Sequence, residues 1–200
     1  MKTIYIYGAS GHGLVVADIA IACGYENIIF VDDDKSKGYK SFEDIKETQN
    51  AHIAFGIGNN QIRSKLYEKV KRKCFVIPII IHPSSIISPS VKIGEGTVIM
   101  PNVVVNANAN IGKCTILNSS CVVEHECRIE DFVHISPKVS IAGAVKIGEF
   151  THIGIGSSII QCLDVGKNSL IGAGSVVVKS IGDFKKAFGN PCKEVGIINE

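Results

Sequence analysis

The chain has 200 residues, 46% of them hydrophobic, and carries 21 Lys and Arg against 19 Asp and Glu for a net charge of +2. This length can bury one large or two small cores without staples or metals, and so balanced a charge argues against nucleic acid as a partner. Seven cysteines without a C-x-x-C pair suit neither a disulfide framework nor a zinc ribbon. The start, Met1-Lys2-Thr3-Ile4, enters a strand-like run with no signal-peptide core, so a cytoplasmic chain is expected. No apolar run approaches about 18 residues, so no membrane span is expected.

Residues 1–81 read as a small Rossmann-like module. A strand Thr3 to Tyr7 runs into Gly8-Ala9-Ser10-Gly11-His12-Gly13, then a helix, then a strand Asn27 to Val31 that ends in Asp32-Asp33-Asp34. A further strand, Ala51 to Ile57, ends at Gly58-Asn59-Asn60 and opens a helix from Gln61 to about Arg72, and Cys74 to Ile81 returns as a strand. Ligands in such sheets lie beyond the carboxyl ends of the strands, here Ser10, Gly11, His12, Asp32, Asp33, and Gly58 with Asn59. The pattern Gly8-x-x-Gly11-x-Gly13 departs from the dinucleotide fingerprint G-x-G-x-x-G, which argues against NAD. A glycine turn opening a helix still offers free N–H groups to a phosphate, and Asp32 and Asp33 could accept from a ribose or base. The plainer alternative is a tight turn followed by solvated carboxylates. Lys65, Lys69, Lys71, Arg72 and Lys73 read as a solvated helix face.

Residues 82–200 follow another rule. From Ile87 to Val177 an aliphatic residue stands at every sixth position, sixteen in succession. That period fits neither helix nor lone strand but matches the hexapeptide repeat of a left-handed parallel β-helix, with about five triangular coils. Gly94, Ser119, Gly148, Gly154, Gly172 and Ser175 are expected at its tight bends, and Cys114, Cys121, Cys127 and Cys162 as small packing residues. The beat fails at Asp183, where a C-terminal cap is expected, so the prism should end near Ser180.

Within the prism stands Glu124-His125-Glu126, a histidine flanked by carboxylates. Residues eighteen apart stack on neighbouring coils, which sets His125 between Ala107 and Gly143. Both neighbours are small, leaving room for an acceptor beside the imidazole and letting the Gly143 N–H approach a reacting carbonyl. His134 and His152 are also eighteen apart, but the spacing of the histidines departs from the zinc pattern of hexapeptide-repeat carbonic anhydrases, so no metal is expected.

The βαβ module with its Ile4-Tyr5-Ile6-Tyr7-Gly8-Ala9-Ser10-Gly11-His12-Gly13 segment, the prism with Glu124-His125-Glu126 and the ending Gly189-Asn190-Pro191-Cys192-Lys193 resemble the sialic-acid O-acetyltransferase-type sugar acetyltransferases. The likeness is greatest to the bacillosamine-pathway branch, which acetylates the 4-amine of a UDP-linked 4-amino-4,6-dideoxy N-acetylhexosamine for glycan biosynthesis. The resemblance implies His125 as general base, Glu126 as the carboxylate that raises its basicity, Asn118 near the acceptor amine and Gly143 as oxyanion donor. It implies Ser10, Gly11, His12, Asp32, Asp33 and Gly58 around the UDP-sugar, and His134, Ile155 and Ala173 along the acetyl-CoA groove. It also implies a homotrimer that shares each site between two subunits. Two alternatives stay open: a sugar O-acetyltransferase, and a trimer that binds a nucleotide sugar without catalysis.

Overall fold

The computed structural model describes residues 2–45 and 51–198. Alternating apolar residues build β1 (Thr3–Tyr7), whose Ile4 and Ile6 are fully buried, and the chain continues through α1 (Gly11–Ala22) into β2 (Asn27–Val31). β3 (His52–Phe55) and α2 (Asn60–Lys71) follow, and the three strands form a parallel sheet in the order β2-β1-β3. Tyr7 is in register with Val31 and with Phe55, so the turns after all three strands open at one end of the sheet. The buried side of α1 has two partners, while Leu14, Val15 and Ile21 stay exposed. Val16, Ala17, Ile19 and Ala20 join a cluster that holds Ile4 and Ile6 of the sheet together with Ile80, Val98, Met100 and Ile116 of the prism.

The return segment Cys74 to Ile81 is a strand only at its end. Val76 makes an isolated bridge to His52, and Ile80–Ile81 pairs instead with Val98–Ile99 in the prism. Pro78 lies between them and has no N–H for a ladder.

From Ile80 onward the chain winds as a left-handed parallel β-helix of two-residue strands. Leu117 pairs with Ile99 below and Ile135 above, so residues eighteen apart do stack. The first face carries Ile116–Leu117, His134–Ile135 and His152–Ile153, the second Val122–Val123 and Ser140–Ile141, the third Arg128–Ile129 and Lys146–Ile147. The aliphatic beat points inward: every one of its members from Ile99 to Val177 is at most 2% exposed. Each such side chain contributes about 1.5–3 kcal/mol by burial. Beyond the beat, Ile181 bridges Val165, and an antiparallel hairpin of Lys185–Gly189 and Cys192–Ile197 extends the end of the first face.

The tight bends differ from the expectation. Left-handed backbone recurs at every sixth residue from Gly96 to Gly174, but mostly on other residue types, among them Asn108, Ser120, Glu126, Phe132 and Ala144. Most are held because the N–H reaches a turn carbonyl of the coil below, as Glu126 N–H does to Ala107 O (2.9 Å) and Ala144 N–H to His125 O (2.9 Å), while Asn108 N–H donates to the Ser90 hydroxyl (2.9 Å) instead. None of the six residues expected at the bends occupies such a position. The glycines among them serve the stacking: a Cβ at Gly148 would lie 2.5 Å from Lys167 N, and one at Gly154 2.6 Å from Ala173 N. The cysteine expectation needs one correction. Cys114, Cys121 and Cys127 are buried packing residues, whereas Cys162 is exposed; Cys114 and Cys162 both occupy left-handed corners, but Cys114 is covered by the cluster that holds Tyr67, Ile77 and Phe132.

Candidate active site

At the carboxyl ends of the module's strands, glycines let three backbone segments meet. A Cβ on Gly13 would lie 2.0 Å from Gly8 O, and one on Gly56 2.5 Å from the same oxygen. A Cβ on Gly11 would meet nothing within 4 Å, and the Ser10 hydroxyl makes no capping bond, so the start of α1 stays open. The two aspartates are more occupied than their strand-end position suggests. Asp32, 8% exposed, accepts from Ala9 N–H (2.9 Å), Asp34 N–H (3.0 Å) and Lys37 Nζ (2.7 Å). Burial raises its pKa, but these donors outweigh burial and hold it below the ordinary value. Asp33 accepts from the Tyr7 hydroxyl (2.5 Å), Phe42 N–H (3.0 Å) and Lys69 (3.0 Å). Lys69, Lys71 and Lys73 of the expected solvated face therefore pair with Asp33, Glu95 and Glu43.

Beside this turn the module meets the first face of the prism, and three histidines gather at the seam. His134, 9% exposed, lies stacked on His152 with ring centroids 4.6 Å apart, and 6.2 Å from the ring of His12. The Asn118 Oδ1 accepts from Ser119 N–H (2.9 Å), which turns its amide nitrogen toward His134 Nε2 (3.1 Å). His134 Nε2 is then the acceptor, and Nδ1–H donates to Gly58 O (3.3 Å), which assigns the neutral Nδ1–H tautomer. Burial, then the neighbouring His152, Arg63 and His12, pushes the His134 pKa down to about 3. Burial and then Arg63 push that of His12 down to about 4. The Nε2 of His12 is buried without a partner among the described residues.

His125 stands on a different corner. It occupies the turn between the second and third faces, whereas Asn118 occupies the turn between the first and second. Its side chain is 58% exposed, and Nδ1 lies 3.1 Å from Glu126 Oε2. The imidazole does not leave the gap over Gly143 open; it fills it. A Cβ on Gly143 would lie 2.6 Å from His125 Cε1 and 2.7 Å from Nε2, so the absence of a side chain there is what seats the ring. The Gly143 N–H has no protein acceptor among the described residues. A depression lined by Val122, Glu124, Ser140, Ala142, Ser158 and Ile160 runs along the second face to this corner.

The expected site residues thus fall into separate groups. Ser10, Gly11, His12, Gly58, Asn118 and His134 gather at the seam, and His125, Glu126 and Gly143 at the corner. Ile155 and Ala173, eighteen apart, stack as exposed neighbours, while His134 keeps the company of Gly58 and Asn118. Two residues that matter at the seam had no place among the candidates. Arg63, 1% exposed, and Asn60, 5% exposed, tie α2 to the prism. The signal for Arg63 was its spacing: it precedes the buried Tyr67 and Val70 by four and seven residues, on the inner stripe of α2. Among the described residues no three His, Cys, Asp or Glu side chains converge as metal ligands, and no helix is long and apolar enough to cross a membrane.

Residues 3–70 match the model of the PglD N-terminal domain. The acetyltransferase domain of PglB from Neisseria gonorrhoeae superposes with a TM-score of 0.91 at 36% identity, over 98% of this chain and 100% of that one. The chain belongs to the hexapeptide-repeat, CoA-dependent sugar N-acetyltransferase family. PerB from Caulobacter crescentus, solved with CoA and GDP-perosamine, superposes on this family member at 0.89 with 33% identity over 98% of each chain. The UDP-N-acetylbacillosamine N-acetyltransferase of Bacillus subtilis is 36% identical over 115 residues, and that match spans about half of each protein, 50% of this chain and 52% of the relative. As a member of the family the chain is an acetyltransferase, a class to which an exposed imidazole with a carboxylate behind it is suited.

Proposed function

We propose that this acetyltransferase moves the acetyl group of acetyl-CoA to the 4-amine of a UDP-linked 4-amino-4,6-dideoxy N-acetylhexosamine. The observation that carries the reading is the His125–Glu126 pair seated on Gly143, on a chain that superposes on a relative solved with CoA and a nucleotide sugar. A sugar amine attacks only when neutral. With Glu126 facing Nδ1, the proton stays on that nitrogen and the Nε2 lone pair is free to take one from the amine. As nitrogen bonds to the thioester carbon, the carbonyl oxygen gains charge, which the free Gly143 N–H can meet. The C–S bond then breaks, and the proton on Nε2 passes to the departing CoA thiolate, so no covalent enzyme intermediate is needed.

In this reading Ser10, Gly11, His12 and Gly58 flank the nucleotide sugar, with Asp32 and Asp33 shaping the turn that receives it. Ile155 and Ala173 line the CoA arm on the exposed side of the prism, and His134 reaches that groove from the seam. The seam and the His125 corner lie on different edges of one prism, which favours a homotrimer in which the corner of one copy faces the seam of another. Incubation with acetyl-CoA and a panel of UDP-, GDP- and dTDP-linked 4-amino sugars, followed by thiol release and product mass, tests the proposal. Acetylation of a UDP-linked amine is the expected result. Transfer only to a hydroxyl, or only to a GDP-linked amine, would overturn the acceptor named here.

A further inference from the structure

The most deeply buried cation of the seam is used by none of the steps above. The side chain of Arg63 leaves α2 and enters the prism. Its Nε–H donates to Cys114 O (2.8 Å), its Nη1 to Ile57 O and Gly58 O (3.1 Å each), and its Nη2 to Asn60 Oδ1 (2.8 Å), Phe132 O (3.0 Å) and Val133 O (3.4 Å). Every acceptor is neutral, and the whole fork is engaged, so Arg63 has no N–H left for a ligand. A planar fork with five donors can bridge this many carbonyls, whereas an ammonium cannot.

We infer that Arg63 is a positioning residue, which fastens the turn after β3 to the prism and, through the shared Gly58 carbonyl, sets the orientation and tautomer of His134. The chain of contacts is short. Arg63 Nη1 and His134 Nδ1–H both donate to Gly58 O, and His134 Nε2 receives the Asn118 amide. Arg63 also holds the carbonyls of Phe132 and Val133, the two residues just before His134. The imidazole is thus bracketed from its own backbone and from the module. The groups facing it are Arg63 from α2, His12 from the start of α1 and His152 from the next coil, and a cation among three histidines favours their neutral forms. Burial lowers the Arg63 pKa only to about 10, so the guanidinium is charged at neutral pH. The catalytic part of the inference rests on the proposal that His12 and Gly58 flank the nucleotide sugar and that His134 reaches the acetyl-CoA groove.

The test is a cycle of Arg63→Lys, His134→Gln and the double variant, read by steady-state kinetics and by nitrogen-15 NMR of the imidazoles in the free protein. The expected result is a His134 tautomer that is no longer purely Nδ1–H in R63K, and KM values for acetyl-CoA and the nucleotide sugar raised up to about 10²-fold with kcat changed much less. The double variant should be no worse than H134Q, because Arg63 acts through His134. An unchanged tautomer, or effects of the two substitutions that simply add, would overturn the inference. Should R63K not fold, Asn60→Ala removes the one side-chain acceptor of the fork and applies the same readouts at smaller amplitude. The NMR arm needs no substrate. If no nucleotide amino sugar is acetylated at all, the proposed function fails while the tautomer still decides the inference.

Discussion

His125 and His134 are nine residues apart, half a coil, yet their surroundings are opposite. His134 is 9% exposed, with a ring neighbour and two hydrogen-bond partners, whereas the side chain of His125 is 58% exposed and rests on a glycine beside one carboxylate. The difference teaches what each can do. A base that must cycle its proton needs access to the reacting atoms, and an imidazole enclosed and held neutral is suited to orienting a partner. His125→Ala should therefore lower kcat by roughly 10² to 10⁴-fold and leave the melting temperature nearly unchanged, since little packing is lost. A fall in melting temperature comparable to that of a core substitution such as Ile135→Ala would break the comparison.

The seam should show itself in acid stability. An ordinary histidine titrates near 6.5, while His12 and His134 are held neutral down to about 4 and about 3. Above pH 6.5 folded and unfolded chains bind the same protons there, and the stability is fully present. As pH falls below 6.5 the unfolded chain takes up protons that the folded one refuses, so stability is lost at up to about 1.4 kcal/mol per pH unit for each histidine. Urea unfolding at pH 7 and pH 5 should thus differ by about 2 kcal/mol per buried histidine, about 4 for the pair. His134→Gln should flatten this slope.

Gly143→Ala probes the corner without replacing a titrating group. Its backbone is compatible with a side chain, since it is absent from the left-handed positions, but the new methyl would meet the His125 ring at 2.6 Å. The ring must swing off, and because it is exposed it can do so cheaply. We expect kcat to fall by about 10²-fold with little loss of stability. Gly174→Ala is the counterpart: it meets nothing within 4 Å but sits at φ +65°, so about 1 kcal/mol of stability should go and activity remain. Reversal of the two outcomes, read by thermal melts and thiol release, would show that Gly143 is a backbone requirement and not a seat.

The inward beat was legible because its members from Ile99 to Val177 sit in the same environment, and burial demands the same chemistry fourteen times, with Ile87 and Ile93 partly buried at the open end. The left-handed corners were not, because a contact with a carbonyl nineteen residues back stabilises them whatever the side chain, and Phe132 or Lys138 carries no local mark of it. His125 was visible through its flanking acids, but its seat on Gly143 was misjudged as open space, since stacking distance alone does not say which way a ring leans. Asp32 and Asp33 stood out as strand-end acids, while their donors, Ala9 N–H and Tyr7 among them, come from loops whose folding the residues alone do not display. Arg63 was hidden for a related reason. Its partners are mostly main-chain carbonyls of residues 57–133, which leave no signature in residue type.

The smallest expected effect is the most informative about assembly. Glu126 occupies a left-handed corner, and its carboxylate, 62% exposed, faces His125 across 3.1 Å. In a corner open to water such a pair is worth about 0.2–1 kcal/mol, so Glu126→Gln should cost no more than roughly two- to five-fold in kcat. If instead a second copy covers the corner during turnover, the pair leaves water, its Coulomb term grows, and the loss rises well beyond that range. Salt separates the two cases: an open pair weakens between 0.05 and 0.5 M ionic strength, roughly, while a covered one does not. Measured with the oligomeric state by light scattering, the E126Q loss decides whether the contrast between His125 and His134 belongs to the single chain or only to the chain without its partner.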